Sequence, residues 1–145
     1  MRLAGLICLG LGLYSPGLAA PASGALFGDW LTADQTGVIR LEPCGGTVCA
    51  RIVGMTWPPN GSVPRDVHGL SQCHMLIMRG VRQKEANLWS GSIDNPNDGN
   101  SYDAELWLDE SGRLHLRGYI VLPLFGSTQI WTRYSGPVPP DCHLR

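Results

Sequence analysis

Residues 89–134 constrain the fold of this chain more than any other part. They read WSGSIDNPNDGNSYDAELWLDESGRLHLRGYIVLPLFGSTQIWTRY. Short runs alternate apolar and polar residues, and Asn-Pro, Asp-Gly, Ser-Gly and Phe-Gly steps interrupt them. Alternation at period two marks strands with one buried face, and the interruptions mark turns. The segment predicts an antiparallel β-meander.

Extending the same reading gives eight strand candidates, over residues 25–32, 36–42, 48–55, 74–79, 86–93, 101–108, 114–121 and 127–135. In the sixth, Tyr102, Ala104, Leu106 and Leu108 face one way and Asp103, Glu105 and Trp107 the other. In the seventh, Leu114, Leu116 and Ile120 oppose His115, Arg117 and Tyr119. No segment keeps a helical period, and 19 glycines with 11 prolines suit a fold rich in turns. Eight short strands joined by tight turns predict an all-β, antiparallel, up-and-down eight-stranded barrel. Closure removes the open edges that invite aggregation. A barrel of this size either fills its interior with side chains or holds one small ligand.

One connection is not tight. Residues 56–72, TWPPNGSVPRDVHGLSQ, carry three prolines and no period. A segment this long without regular structure is a lid, a binding loop or a tether, or else a plug over one barrel end. Trp57 is the apolar anchor that a ligand-binding loop would use, and the prolines limit its freedom.

The N-terminus has the form of an export signal. Arg2 precedes an apolar run over residues 3–14, Ser15-Pro16-Gly17 breaks it, and Ala20-Pro21-Ala22 supplies small residues for cleavage. The expected mature chain is residues 23–145, one domain, placed in the periplasm or secreted. Loss of Arg2 leaves ten basic against twelve acidic residues with no basic patch, which argues against a nucleic-acid partner. No second stretch is long and apolar enough for a membrane-spanning helix.

Four cysteines remain after processing: Cys44, Cys49, Cys73 and Cys142. An even count in an exported chain reads as disulfides. Of the three possible pairings, Cys44–Cys49 with Cys73–Cys142 is favoured, because the first pair brackets a four-residue loop that sets the two cysteines across a hairpin. A four-thiolate zinc site fits less well, since Cys73 and Cys142 form no second close pair.

Gly28-Asp29-Trp30 opens the first strand and Arg133 stands in the last. This resembles the Gly-x-Trp signature of lipocalin and avidin-like barrels. The resemblance implies that Trp30 plugs one barrel end beneath Arg133, held by cation–π attraction. A second resemblance spans nearly the whole mature chain. Its elements are Gly37-Val38-Ile39-Arg40-Leu41, Pro43-Cys44-Gly45-Gly46 with Cys49, Trp89-Ser90-Gly91-Ser92-Ile93, Asp94-Asn95-Pro96-Asn97-Asp98-Gly99 and Leu124-Phe125-Gly126-Ser127-Thr128-Gln129. These resemble the bacterial exported family called domain of unknown function 2147. That resemblance implies export and a small β-rich domain, and it supplies no catalytic residue. Residues 65–74 depart from the family's middle segment.

Catalytic and metal motifs are weak. Asp94, Asp98, Gly99 and Glu105 fall on EF-hand positions, but Pro96 occupies a ligand position, so the segment reads as a hairpin turn. Cys73 with His68 and His74 is the one candidate for thiol catalysis, and a cysteine partner in an oxidising compartment argues against it. No cofactor motif is present. The expectation is a non-enzymatic binding module for a small apolar, amphipathic or lipid-like molecule in the cell envelope. The alternatives are a filled interaction module and a thiol-dependent enzyme.

Overall fold

The structure, a computed structural model, describes residues 23–120 and 126–145. The export signal expected over residues 1–22, and the end of the seventh expected strand at Val121, lie outside them. A 3-10 turn, Ser23–Ala25, leads into β1 (Gly28–Leu31), β2 (Gly37–Cys44), β3 (Thr47–Met55) and β4 (Leu76–Glu85). β5 (Leu88–Asp94), β6 (Ser101–Leu108), β7 (Leu114–Tyr119) and β8 (Ser127–Arg133) follow. Each strand pairs antiparallel with the next, and β8 returns to β1 through Trp30↔Arg133 and Leu31↔Thr132, closing the barrel. The eight-stranded, up-and-down barrel expected from the alternation is therefore present, in the lipocalin-like form that the Gly-x-Trp resemblance implies.

Inward parity follows the sequence pattern. Trp30, Ile39, Leu41, Trp89, Ala104, Leu106, Leu114 and Leu116 are all buried in one cluster. Departures have local causes. Residues 25–27 are not strand: the 3-10 turn folds under the barrel and buries Leu26. β4 continues to Glu85 past Gly80, whose φ of +70° introduces an irregularity between Arg79 and Arg82. β7 ends at Tyr119, so Ile120 is exposed rather than aligned with Leu114 and Leu116.

The β6–β7 turn is organised by one carboxylate. Asp109 Oδ1 accepts from the Ser111 hydroxyl at 2.6 Å and from the Ser111 and Arg113 amides at 2.9 and 3.0 Å. Its Oδ2 accepts from Arg113 Nε at 2.8 Å and lies 3.0 Å from His115 Nε2. These bonds, the Ser111 hydroxyl first, hold the Asp109 carboxyl well below the usual carboxylate range. A depressed folded pKa stabilises the fold above the unfolded aspartate value of about 4, and that stabilisation is lost as pH falls toward the folded value. Asp109→Asn is expected to lower Tm at pH 7, with the gap to the parent narrowing in melts at pH 4 and pH 2. A gap that stays constant with pH would remove the carboxylate from this role.

After β8 the tail runs back outside the barrel as a strap. β3 outlasts its pairing with β4, which leaves backbone groups near its end without a strand partner on that side. The strap supplies it: Met55 N–H donates to Cys142 O at 2.7 Å, and Leu144 N–H donates to Met55 O at 2.9 Å. Leu144 packs directly on Gly54, where a Cβ would lie 2.7 Å from its side chain. Two disulfides are formed. Cys44–Cys49 crosses the β2–β3 hairpin with Cα atoms 5.6 Å apart, and Cys73–Cys142 joins the long loop to the strap at 5.7 Å.

Candidate functional site

An up-and-down barrel places alternate connections at the same end. The β2–β3, β4–β5 and β6–β7 turns gather at one end with the 3-10 entry, and this end is sealed. Trp30 has no exposed surface, and its Nε1 donates to Leu26 O at 2.9 Å. Arg133 lies over the indole with Cζ 3.8 Å from the ring centroid, and its Nη1 and Nη2 each donate at 2.6 Å, to Phe27 O and Ala25 O. One guanidinium thus attracts the ring face and satisfies two carbonyls of the entry turn. Gly28 is required beside it: its φ is +118°, and a Cβ there would meet Arg133 Nη1 at 2.7 Å.

The other end is open. A cavity of about 650 Å³ enters the barrel between the β1–β2, β3–β4 and β5–β6 connections. Its walls and floor are Ile39, Ile52, Ile77, Ile93, Leu116 and Trp131. Inward positions that carry small groups, Gly118 among the lining residues, leave this half unfilled. Higher up, the lining turns to hydroxyls and amides: Thr32, Tyr102, Gln129, Asn95, Asn97 and Gln72. Trp131 Nε1 donates to Gln129 Oε1 at 2.9 Å, and Tyr102 Oη donates to Asp98 Oδ2 at 2.7 Å. Asp34, also in the lining, accepts from the Thr32 hydroxyl at 2.7 Å, which with the Thr36 amide lowers its carboxyl below the usual range.

The long loop borders this opening through Pro64 and Gln72. Asp66 folds it by accepting from the His68 and Leu70 amides, at 2.9 and 2.7 Å. Gln72, 6% exposed, locks it: its side-chain amide donates to Arg65 O at 3.0 Å and to Asn97 Oδ1 at 2.9 Å, tying the loop to the β5–β6 turn. A buried amide with both donor bonds made holds a loop in one place.

Trp57, expected at the opening, lies elsewhere. It stacks on His143 of the strap, ring centroids 3.9 Å apart and 13° from parallel, and is not among the residues lining the cavity. The reason is the strap, whose return alongside β3 offers the indole a flat partner. Of the residues considered for thiol chemistry, Cys73 is bonded to Cys142, with His74 Nε2 3.8 Å from Cys142 Sγ. His68 is exposed on the loop bend, outside the cluster formed by Cys73, His74 and Cys142. Asp94 ends β5 and residues 95–100 form the β5–β6 turn, closed by Asn95 N–H to Asn100 O at 2.8 Å, while Glu105 sits up the strand beside Lys84. The residues that sequence reading passed over are Gln129 and Gln72 at the mouth and Trp131 at the base of the cavity. Trp131 alternates with Gln129 on one face of β8, a signal visible in the Ser127–Arg133 run once Trp131 is placed inward.

Among solved structures the chain is similar to protein HP1028 from Helicobacter pylori, described as belonging to the lipocalin family. The likeness has a TM-score of 0.64 at 16% identity and covers 76% of this chain and 83% of that one. It shows the barrel fold. No curated protein matches the chain. A family model matches residues 28–133, from the Gly of the closing Gly-x-Trp to the Arg above its indole. The chain therefore belongs to DUF2147, the family described as an uncharacterized protein conserved in bacteria.

Proposed function

We propose that this protein is an exported binding module that takes one small amphipathic molecule into the open end of its barrel. The observation that carries the reading is the cavity of about 650 Å³, apolar at its base and polar at its entrance. Small-ligand sites are concave, mostly apolar and fitted with a few placed polar groups, at volumes of roughly 300–1,000 Å³. Binding fits the lining, which sets amides and hydroxyls around the entrance above an apolar floor. Export is supported by the two disulfides, which persist in oxidising compartments.

The indole of Trp131, buried at the base of the cavity, is the natural reporter. Titrating dodecyl-chain amphiphiles below their micellar concentration is expected to change the emission of the protein saturably. Trp131→Phe removes the response while Trp57→Phe leaves it. Native mass spectrometry of protein taken from its own periplasm is expected to show a co-purified mass. A barrel that binds none of these up to millimolar concentration fits a protein–protein interaction module instead.

A further inference from the structure

The charge of the entrance selects the ligand's head group. Among the described residues lining the cavity none is basic; the ionisable carboxylates are Asp34 and Asp94. The β7–β8 connection adds no ionisable residue between Ile120 and Gly126. Nearby arginines already have partners: Arg65 donates to Gly69 O at 2.7 Å, Arg79 lies 4.0 Å from Asp94 and offsets that lining carboxylate, and Arg117 donates to Thr128 Oγ1 at 2.7 Å. None of the three lines the cavity.

The entrance does offer neutral hydrogen bonding. Gln129 shares the inward face of β8 with Trp131, opposite Leu116. An indole N–H can only donate, so Gln129 must present its oxygen to Trp131, and its amide N–H groups then point away from that bond. Among the described residues they meet no other side chain, and Gln129 is exposed within the mouth. On β6, two strands along the wall from β8, the Tyr102 oxygen keeps acceptor capacity after donating to Asp98.

Resting on the binding function above, we infer that the site takes an uncharged amphipath, with a hydroxyl or amide head group that accepts from Gln129 and donates to Tyr102 and its apolar body on Ile39, Ile52, Leu116 and Trp131, and that it rejects carboxylates. A carboxylate head drawn into this entrance loses water and gains no cation, the unfavourable case for a buried charge. A neutral head exchanges water for amide and phenol partners at little cost. Asp34, held ionised by Thr32 and Thr36, adds repulsion toward an anion.

The test compares three dodecyl-chain probes by calorimetric titration at neutral pH: glycerol monolaurate, dodecanoate and dodecyltrimethylammonium. Monolaurate is expected to bind about tenfold or more tightly than dodecanoate, a difference the missing counter-ion readily supplies. Gln129→Lys, checked for an intact fold by circular dichroism, is expected to cancel or invert that ratio by supplying the cation. Dodecanoate binding as tightly as monolaurate, the cationic probe binding tightest, or a Gln129→Lys ratio unchanged from the parent each overturns the head-group assignment while leaving the binding function standing. Failure of all three probes to bind removes the function and the assignment together.

Discussion

Trp30→Ala is expected to destabilise the protein by about 4 kcal/mol, within the range for removing a large buried aromatic. The indole is fully enclosed, so its loss opens a cavity at the sealed end and strips Leu26 O of its donor. Arg133→Ala follows at about 2 kcal/mol, the sum of a partly exposed cation–π contact and two charge-assisted bonds re-made to water. Arg133→Lys recovers only part, because an ammonium cannot bridge Ala25 O and Phe27 O as the planar fork does. Gly28→Ala displaces the same guanidinium from the other side. Equilibrium urea unfolding of the four variants measures the order. If Trp30→Ala falls below about 1 kcal/mol, well under the cost of a packed aromatic, the sealed-end account is wrong. Because Trp30 and Arg133 sit on strands paired at the barrel seam, this cluster joins the two ends of the chain.

How much of this was legible depended on parity. β6 alternates without interruption, so Ala104 and Leu106 could be set inward and Glu105 outward from sequence. β4 could be followed only to Arg79, because both Met78 and Val81 are buried. A spacing of three breaks the two-residue period, and the positive φ of Gly80 is what resets it. The entry turn was misread for the opposite reason: Ala25, Leu26 and Phe27 are apolar enough to pass for strand, while the backbone there curls under the barrel. The closing pair of Trp30 and Arg133 was legible because a family signature marks both residues. The open cavity was not, since it arises where inward positions of different strands meet, Gly118 beside Ser127 and Leu116 beside Gln129, and no local pattern encodes that meeting. Trp57 was placed at the mouth because the loop around it is long and Pro-rich. Its actual partner lies 86 residues away on the strap, a contact only the tertiary fold creates.

Removing the Cys73–Cys142 disulfide is expected to cost about 4 kcal/mol, against about 2 kcal/mol for Cys44–Cys49, since the first closes a far longer loop in the unfolded chain. The sequence separations are 69 and 5 residues. The folded-state consequences are also unequal. Cys44–Cys49 staples a hairpin whose strands stay paired from Gly37↔Met55 to Cys44↔Thr47 without it. Cys73–Cys142 holds the strap, and the strap satisfies Met55 and stacks His143 on Trp57. Trp57 begins the long loop and Cys73 follows its end, so both ends of the loop are tied to the strap. Freeing the strap therefore releases both tethers of the loop and leaves Gln72 as its main lock at the mouth. Cys73→Ala/Cys142→Ala is expected to lower Tm about twice as far as Cys44→Ala/Cys49→Ala, and to raise hydrogen exchange at the Met55 and Leu144 amides before the barrel unfolds. It should also weaken amphiphile binding while Cys44→Ala/Cys49→Ala leaves it intact, because only the first pair reaches the wall of the cavity through the loop. Equal losses of Tm, with slow exchange retained at Met55, would show that the strap holds its place by packing alone.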